Sequence, residues 1–181
     1  MILEMDLKIR QETKDDYQAV FDIVEAAFRE MLLSDQTEQF LVERLRKSEG
    51  FIPQLSLVAE IDDALVGHIM VTKLFIDQGD QQKETLCLAP VSVHPDFQNL
   101  GVGSQLVKEA HRMAKELGYQ SIILVGHADY YPRFGYERGS KYGIQFPSEA
   151  PDEACMAVAL VPGGLDDLEG MVAFPEIFFP S

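Results

Sequence analysis

The chain has 181 residues, 46% of them hydrophobic, with 15 basic against 30 acidic side chains for a formal net charge of −15. A field of that sign repels nucleic-acid backbones and anionic membranes, and it favours cationic partners. Two cysteines far apart, Cys87 and Cys155, imply neither a disulfide framework nor a zinc site, so no metal is expected.

Residues 7–10 alternate and read as a short strand. Thr13 with Asp16 three residues on is a capping-box signal. Tyr17, Val20, Phe21, Val24, Ala27, Phe28, Met31 and Leu32 then recur at helical spacing. Asp35 and Glu38 signal a second helix that carries Phe40, Leu41 and Leu45, with Arg46 and Lys47 in its last turn and Gly50 at its end. Strands follow over 55–61 and 65–76 around the turn Asp62-Asp63-Ala64, which predicts a hairpin. Another strand runs over 84–93 and stops at His94-Pro95-Asp96.

Gly103, Leu106, Val107, Ala110, Met113, Ala114 and Leu117 form one apolar stripe, and Gly118 stands at the C-cap. Residues 121–125 predict a buried strand and 130–134 a short helical turn. Tyr136 onward and 154–161 read as further strands. In the tail, Leu165, Leu168, Met171, Val172, Phe174, Phe178 and Phe179 suggest packing back onto the body. The pattern predicts one α+β domain over 1–181, with a mostly antiparallel sheet and one strand–helix–strand crossover; its core spans about 7–161, and 162–181 form an extension.

No apolar run nears the roughly 20 residues of a membrane span. The opening residues lack the basic start and apolar centre of a signal peptide, so a cytoplasmic protein is expected. From Tyr142 to Ser181 there are acids at 149, 152, 153, 166, 167, 169 and 176 and no base. This reads either as a rim attracting an amine or as solubilising charge.

The most informative segment is Gln98-Asn99-Leu100-Gly101-Val102-Gly103, between a strand and a helix. First-turn N–H groups have no partner inside a helix, its dipole is positive there, and glycines let a phosphate approach the backbone. The segment lacks the Gly-Lys-Ser/Thr of a P-loop and the third glycine of a dinucleotide fingerprint. It resembles the Q/R-x-x-G-x-G/A signature of the GNAT N-acyltransferases. Tyr131-Pro132-Arg133-Phe134-Gly135-Tyr136 resembles that family's second element, Y-x-x-x-G-F/Y, and the order of elements is similar over about residues 7–161.

The resemblance implies a GNAT-like fold and acetyl-CoA as cosubstrate. It implies a pantetheine arm pairing with the fourth strand at Val91 and Val93, and a bulge near Pro90. Gln98, Asn99, Leu100, Gly101, Val102 and Gly103 would meet the pyrophosphate, with a hydroxyl from Ser104. Lys108 and Arg112 either reach the nucleotide or are simply solvated. Tyr131 would protonate the leaving thiolate, Phe134 would pack near the pantetheine or under the loop, and Gly135 would serve a tight turn.

Where some relatives place a glutamate on the fourth strand, this chain has Cys87. The general base is therefore open among Glu60, His68, Glu84, His94, His127 and a water chain, with His127 ranked first. The function implied is direct acetyl transfer to a primary amine, small or peptidic and cationic. The alternatives are a non-catalytic acyl-CoA sensor and, more remotely, a nucleotide phosphotransferase. An exposed strand or the Phe-rich tail could support a homodimer; intramolecular packing is the simpler reading.

Overall fold

The computed structural model describes residues 6–29, 31, 34–147 and 149–178; Leu32 and Phe179 lie outside them. The chain forms an α+β fold with a mixed, mostly antiparallel sheet, in two compact units interleaved in sequence. One unit takes residues up to Val71 and then Ala89–Met113. The other takes Thr72–Leu88 and everything from Ala114 on.

In the first unit, β1 (Leu7–Gln11) runs antiparallel to β2 (Ser56–Ile61), with Leu7 opposite Ile61 and Gln11 opposite Leu57. β2 turns into β3 (Ala64–Asp77) through Asp62 and Asp63, with φ of 52° and 67°. Two left-handed residues give the turn twist that matches paired strands, which is why this short acidic spacer makes the predicted hairpin. Asp16 accepts the Thr13 N–H at 2.7 Å and pairs with both terminal nitrogens of Arg10, at 2.7 and 2.9 Å. That bond to Arg10 chiefly holds its carboxyl down at about 2.

α1 (Tyr17–Phe28) follows and buries Val20, Ile23 and Val24; Met31 lies beyond its end. α2 (Glu38–Arg46) starts two residues later than the Asp35 signal suggests. The Asp35 carboxylate instead accepts the N–H and hydroxyl of Thr37, a local turn that competes with helix. Its buried stripe is Gln39, Val42 and Leu45, whereas Phe40 is 45% exposed and sets its ring edge-on against Phe21 at 5.5 Å. α3 (Val102–Glu116) buries Val102, Leu106, Val107 and Ala110 in this unit.

The second unit is ordered β3, β4, β5, β8, β6, with β9 on β3 and on β7. β4 (Gln82–Val93) and β5 (Ser121–Val125) are parallel, joined through α3 as the predicted crossover. Their register is short, Leu86 opposite Ile122 and Cys87 opposite Ile123. On its other side β5 pairs antiparallel with β8 (Cys155–Ala159) along its whole length, Ser121 opposite Ala159 and Val125 opposite Cys155. β6 (Glu137–Arg138) pairs with β8, and β7 (Ile144–Gln145) with β9 (Gly170–Ala173).

β9 gives the tail a sheet role. Gly170 sits at φ 150°, where an added Cβ would come within 2.4 Å of the Asp77 carbonyl oxygen. Leu165, Leu168 and Val172 are buried as expected, but Met171 is exposed. Leu117 is also exposed, because α3 ends before it and Gly118 turns the chain at φ 94°.

Candidate functional site

The loop expected to meet a phosphate is built from the end of β4 upward. The His94 N–H donates to the Val66 carbonyl at 2.8 Å, which fixes the strand's last step against β3. A single 3-10 turn, Pro95–Phe97, follows, with the His94 ring nitrogen Nδ1 accepting the Asp96 N–H at 3.1 Å. Gln98 then reaches back, its side-chain amide donating to the Val93 carbonyl at 3.0 Å. Gln98 therefore ties the loop to the strand.

Asn99 and Gly101 both take positive φ, 65° and 89°. Such left-handed residues, alternating along a turn, gather N–H groups into a concave anion nest. The first bond of α3 is from the Gln105 N–H to the Gly101 carbonyl at 3.1 Å. The N–H groups of Val102 and Gly103 consequently have no helical acceptor behind them. Gln98, Asn99 and Gly101 are exposed, and Val102 is buried and offers only its backbone. Val91 and Val93 are half-buried and flank buried Ser92. Pro90 lies inside a continuous β4, its peptide bond with Ala89 cis. Further along α3, Arg112 is engaged by Glu109, while exposed Lys108 has no ion pair among the described residues.

Tyr131 and Phe134 belong to the second unit. After β5, the Gly126 N–H donates to the Ala154 carbonyl at 2.9 Å, and the chain enters the 3-10 turn Tyr131–Phe134. Gly135, at φ 97°, closes it with a 3.0 Å bond to the Pro132 carbonyl. The Tyr131 ring sits edge-on to Tyr130 at 5.1 Å and Tyr136 at 5.8 Å, with Phe134 tilted at 6.4 Å. Gly126 is required by this packing, since a Cβ there would lie 2.6 Å from Tyr131 Cε2. Tyr131 is 8% exposed, and its hydroxyl makes no hydrogen bond among the described residues. Burial, with Tyr130 adding, pushes its ionisation well above the ordinary phenol range, so it is a proton donor at neutral pH. Tyr130 is instead gripped by Arg133, whose Nε donates to the Tyr130 carbonyl at 2.8 Å while its guanidinium lies over the ring.

The five candidate bases separate by partner. Glu60 is paired with Arg10, Glu84 with Lys73, and His94 takes the Asp96 N–H. His68 is fully buried. His127 is exposed and makes no side-chain hydrogen bond among the described residues. Burial pushes the Cys87 thiol up to about 12, which leaves almost no thiolate for nucleophilic work. Both cysteines are free. Among the described residues no group of three or more His, Cys, Asp and Glu could hold a metal ion, and no helix is long and apolar enough to cross a membrane.

A constellation that the sequence did not signal surrounds His68 in the first unit. Arg46 grips Glu12 with two nitrogens, at 3.1 and 2.6 Å. The Ser56 hydroxyl donates to Glu12 at 2.8 Å and stands 3.0 Å from His68 Nε2. Ser56 has one proton and gives it to the carboxylate, so its oxygen accepts from His68 and the imidazole proton sits on Nε2. Nδ1 is left without a partner among the described residues. Burial holds the ring neutral, its pKa down at about 4. Serine, histidine and carboxylate are present, yet the histidine cannot take the serine proton and all three are closed to solvent.

Residues 8–139 match the family model of the acetyltransferase (GNAT) domain. YjhQ of Escherichia coli K12, described as an uncharacterized N-acetyltransferase, is 34% identical over 138 residues, covering 74% of this chain and 75% of its own. A GNAT acetyltransferase of Brucella melitensis, solved in complex with acetyl-CoA, superposes with a TM-score of 0.78 at 31% identity, over 95% of this chain and 97% of that one. The E. coli N-acetyltransferase YhbS, solved in complex with CoA, gives 0.83 at 25% identity over 96% and 92%.

Proposed function

The chain belongs to the GNAT acetyltransferase family, and from that premise we propose that it moves the acetyl group of acetyl-CoA directly onto a primary amine. The observation that carries this reading is the loop at the start of α3, where two left-handed residues and an open helix N-terminus make an anion nest in a strongly acidic chain. Backbone N–H groups can hold a pyrophosphate there without a basic patch. The two solved relatives, one with acetyl-CoA and one with CoA, support the same ligand.

In this reading Val91 and Val93 offer backbone to the pantetheine. Residues Asn99 to Ser104 hold the pyrophosphate, Gln98 braces the loop, and unpaired Lys108 answers the nucleotide phosphates better than Arg112 does. The amine nitrogen attacks the thioester carbonyl carbon, whose oxygen a β4 N–H polarises. The carbon–sulfur bond breaks, and the thiolate takes the Tyr131 proton. The nitrogen, cationic after the attack, loses its proton to His127 or water to leave a neutral amide, and Tyr131 regains a proton from solvent. Phe134 holds the Tyr131 ring in place. The charge of −15 favours a cationic amine, and buried free thiols suit the cytoplasm. The reading requires both units to act as one acetyltransferase domain.

A thiol-release assay with acetyl-CoA and a panel of primary amines, cationic ones first, tests it. Amine-dependent release of CoA is expected. Tight acetyl-CoA binding with no release for any amine would leave a sensor in place of an enzyme.

A further inference from the structure

Gly67 lies on β3, opposite Ala59 of β2 and outside both sequence motifs. Its φ is not among the positive ones, so its backbone has no need of glycine. Its surroundings do. A Cβ built there would meet Leu106 Cδ1 at 3.1 Å, the Ser92 carbonyl oxygen at 3.1 Å and Val102 Cγ1 at 3.2 Å. These distances are a few tenths of an ångström inside ordinary carbon contact.

The three neighbours have one thing in common. Ser92 is the β4 residue between Val91 and Val93, and its carbonyl is part of that strand's backbone. Val102 is the first residue of α3 and the fifth of the loop from Gln98 to Gly103. Leu106 stands one turn further along the same helix and is fully buried. The preceding residue, Val66, holds the His94 N–H, and Gln98 ties the loop to Val93. The strand end and the helix start thus rest on one spot of β3, and that spot has no side chain.

From this contact we infer that Gly67 is a positioning residue for the acetyl-CoA site: its missing side chain sets the height of both the β4 backbone at 91–93 and the first turn of α3. The inference rests on the reading that these elements bind acetyl-CoA. A methyl group at this position lifts the loop amides by tenths of an ångström, and hydrogen bonds to a phosphate weaken as donors leave alignment. Packing absorbs the same push at small cost, because two of the three contacts are side-chain ends and alanine restricts the unfolded chain more than glycine does.

The test is acetyl-CoA affinity by calorimetry, alongside kcat, KM and melting temperature, for Gly67→Ala, Gly67→Ser and Leu106→Val. Both Gly67 variants should weaken acetyl-CoA binding about threefold to tenfold and raise its KM in step, as a misplacement of tenths of an ångström implies. Their melting temperature should stay close to wild type. Leu106→Val loosens the same packing without adding an atom, and it should lower the melting temperature while leaving the affinity alone. Unchanged affinity in both Gly67 variants would overturn the inference. So would an equal loss of affinity in Leu106→Val, which would mark general loosening. Failure of the wild-type protein to bind acetyl-CoA would instead sink the reading of the site, and this inference with it.

Discussion

Two buried clusters of ionisable side chains, one in each unit, can be set side by side. Around His68, the serine proton, the glutamate oxygens and the arginine nitrogens are spent on one another. Around Tyr131, three aromatic rings and a glycine fix the phenol, yet its hydroxyl has no hydrogen-bond partner among the described residues. The first cluster has the composition associated with hydrolases and the second does not. What separates them is the state of the groups: a hydrogen bond already made cannot be offered to a substrate. A buried charge pair stabilises the fold chiefly in the sense that breaking it is costly. A buried, protonated phenol with its hydroxyl unclaimed has its proton still to give, which is what the proposed acid role of Tyr131 needs.

The comparison breaks or holds on substitution. Tyr131→Phe keeps the ring packing and removes one proton donor; turnover should fall about 10²- to 10⁴-fold. Acetyl-CoA affinity and melting temperature should hardly change, as steady-state kinetics and a melt can establish. Unchanged turnover would remove Tyr131 from the chemistry. Glu12→Ala should do the reverse. It strands Arg46 and Ser56 in the interior and should cost about 3–5 kcal/mol in chemical denaturation, while the folded fraction keeps its kcat.

Acid sharpens the same contrast. His68, and His111 on α3, are both held by burial at about 4, below the ordinary value of 6.5. The unfolded chain therefore takes up protons that the folded chain refuses. Stability should be complete above about pH 6.5 and decline as pH falls toward 4, by at most about 3 kcal/mol for His68. Glu12 and Asp16 act against that lowering by their charge, and Arg46 with it. Urea titrations at several pH values read this directly, and His68→Gln should flatten the decline. The smallest expected effect is that of Ser56→Ala, about 1–2 kcal/mol of stability from the lost hydrogen bond with acetylation unchanged. Abolished acetylation would mean that the His68 cluster is catalytic after all.

Local signals carried much of the fold. The α3 stripe apart from Leu117, the Gly118 stop and the Asp62-Asp63 turn each act within a few residues and appear where expected. So do both site segments, because a helix start and a 3-10 turn are set by their own glycines and proline. The departures have a different origin. In α2 a glutamine holds a buried position and a phenylalanine an exposed one, so hydropathy points to the wrong face. β9 is four residues long and owes its place to the glycine that lets it approach Asp77. Glu12, Arg46, Ser56 and His68 come from four segments, and no spacing announces that they meet. Gly67 and Gly126 are likewise required by side chains that other elements bring to them.

The central claim is that the loop opening α3 binds acetyl-CoA, and thermal unfolding with and without that ligand, with ATP and NAD as controls, tests it most directly. At about 100 times Kd, acetyl-CoA should add about 2.7 kcal/mol. That raises the melting temperature of a chain this long by roughly 5–11 °C, and ATP and NAD should add far less. A folded protein whose melting temperature ignores acetyl-CoA and longer acyl-CoAs would contradict the account.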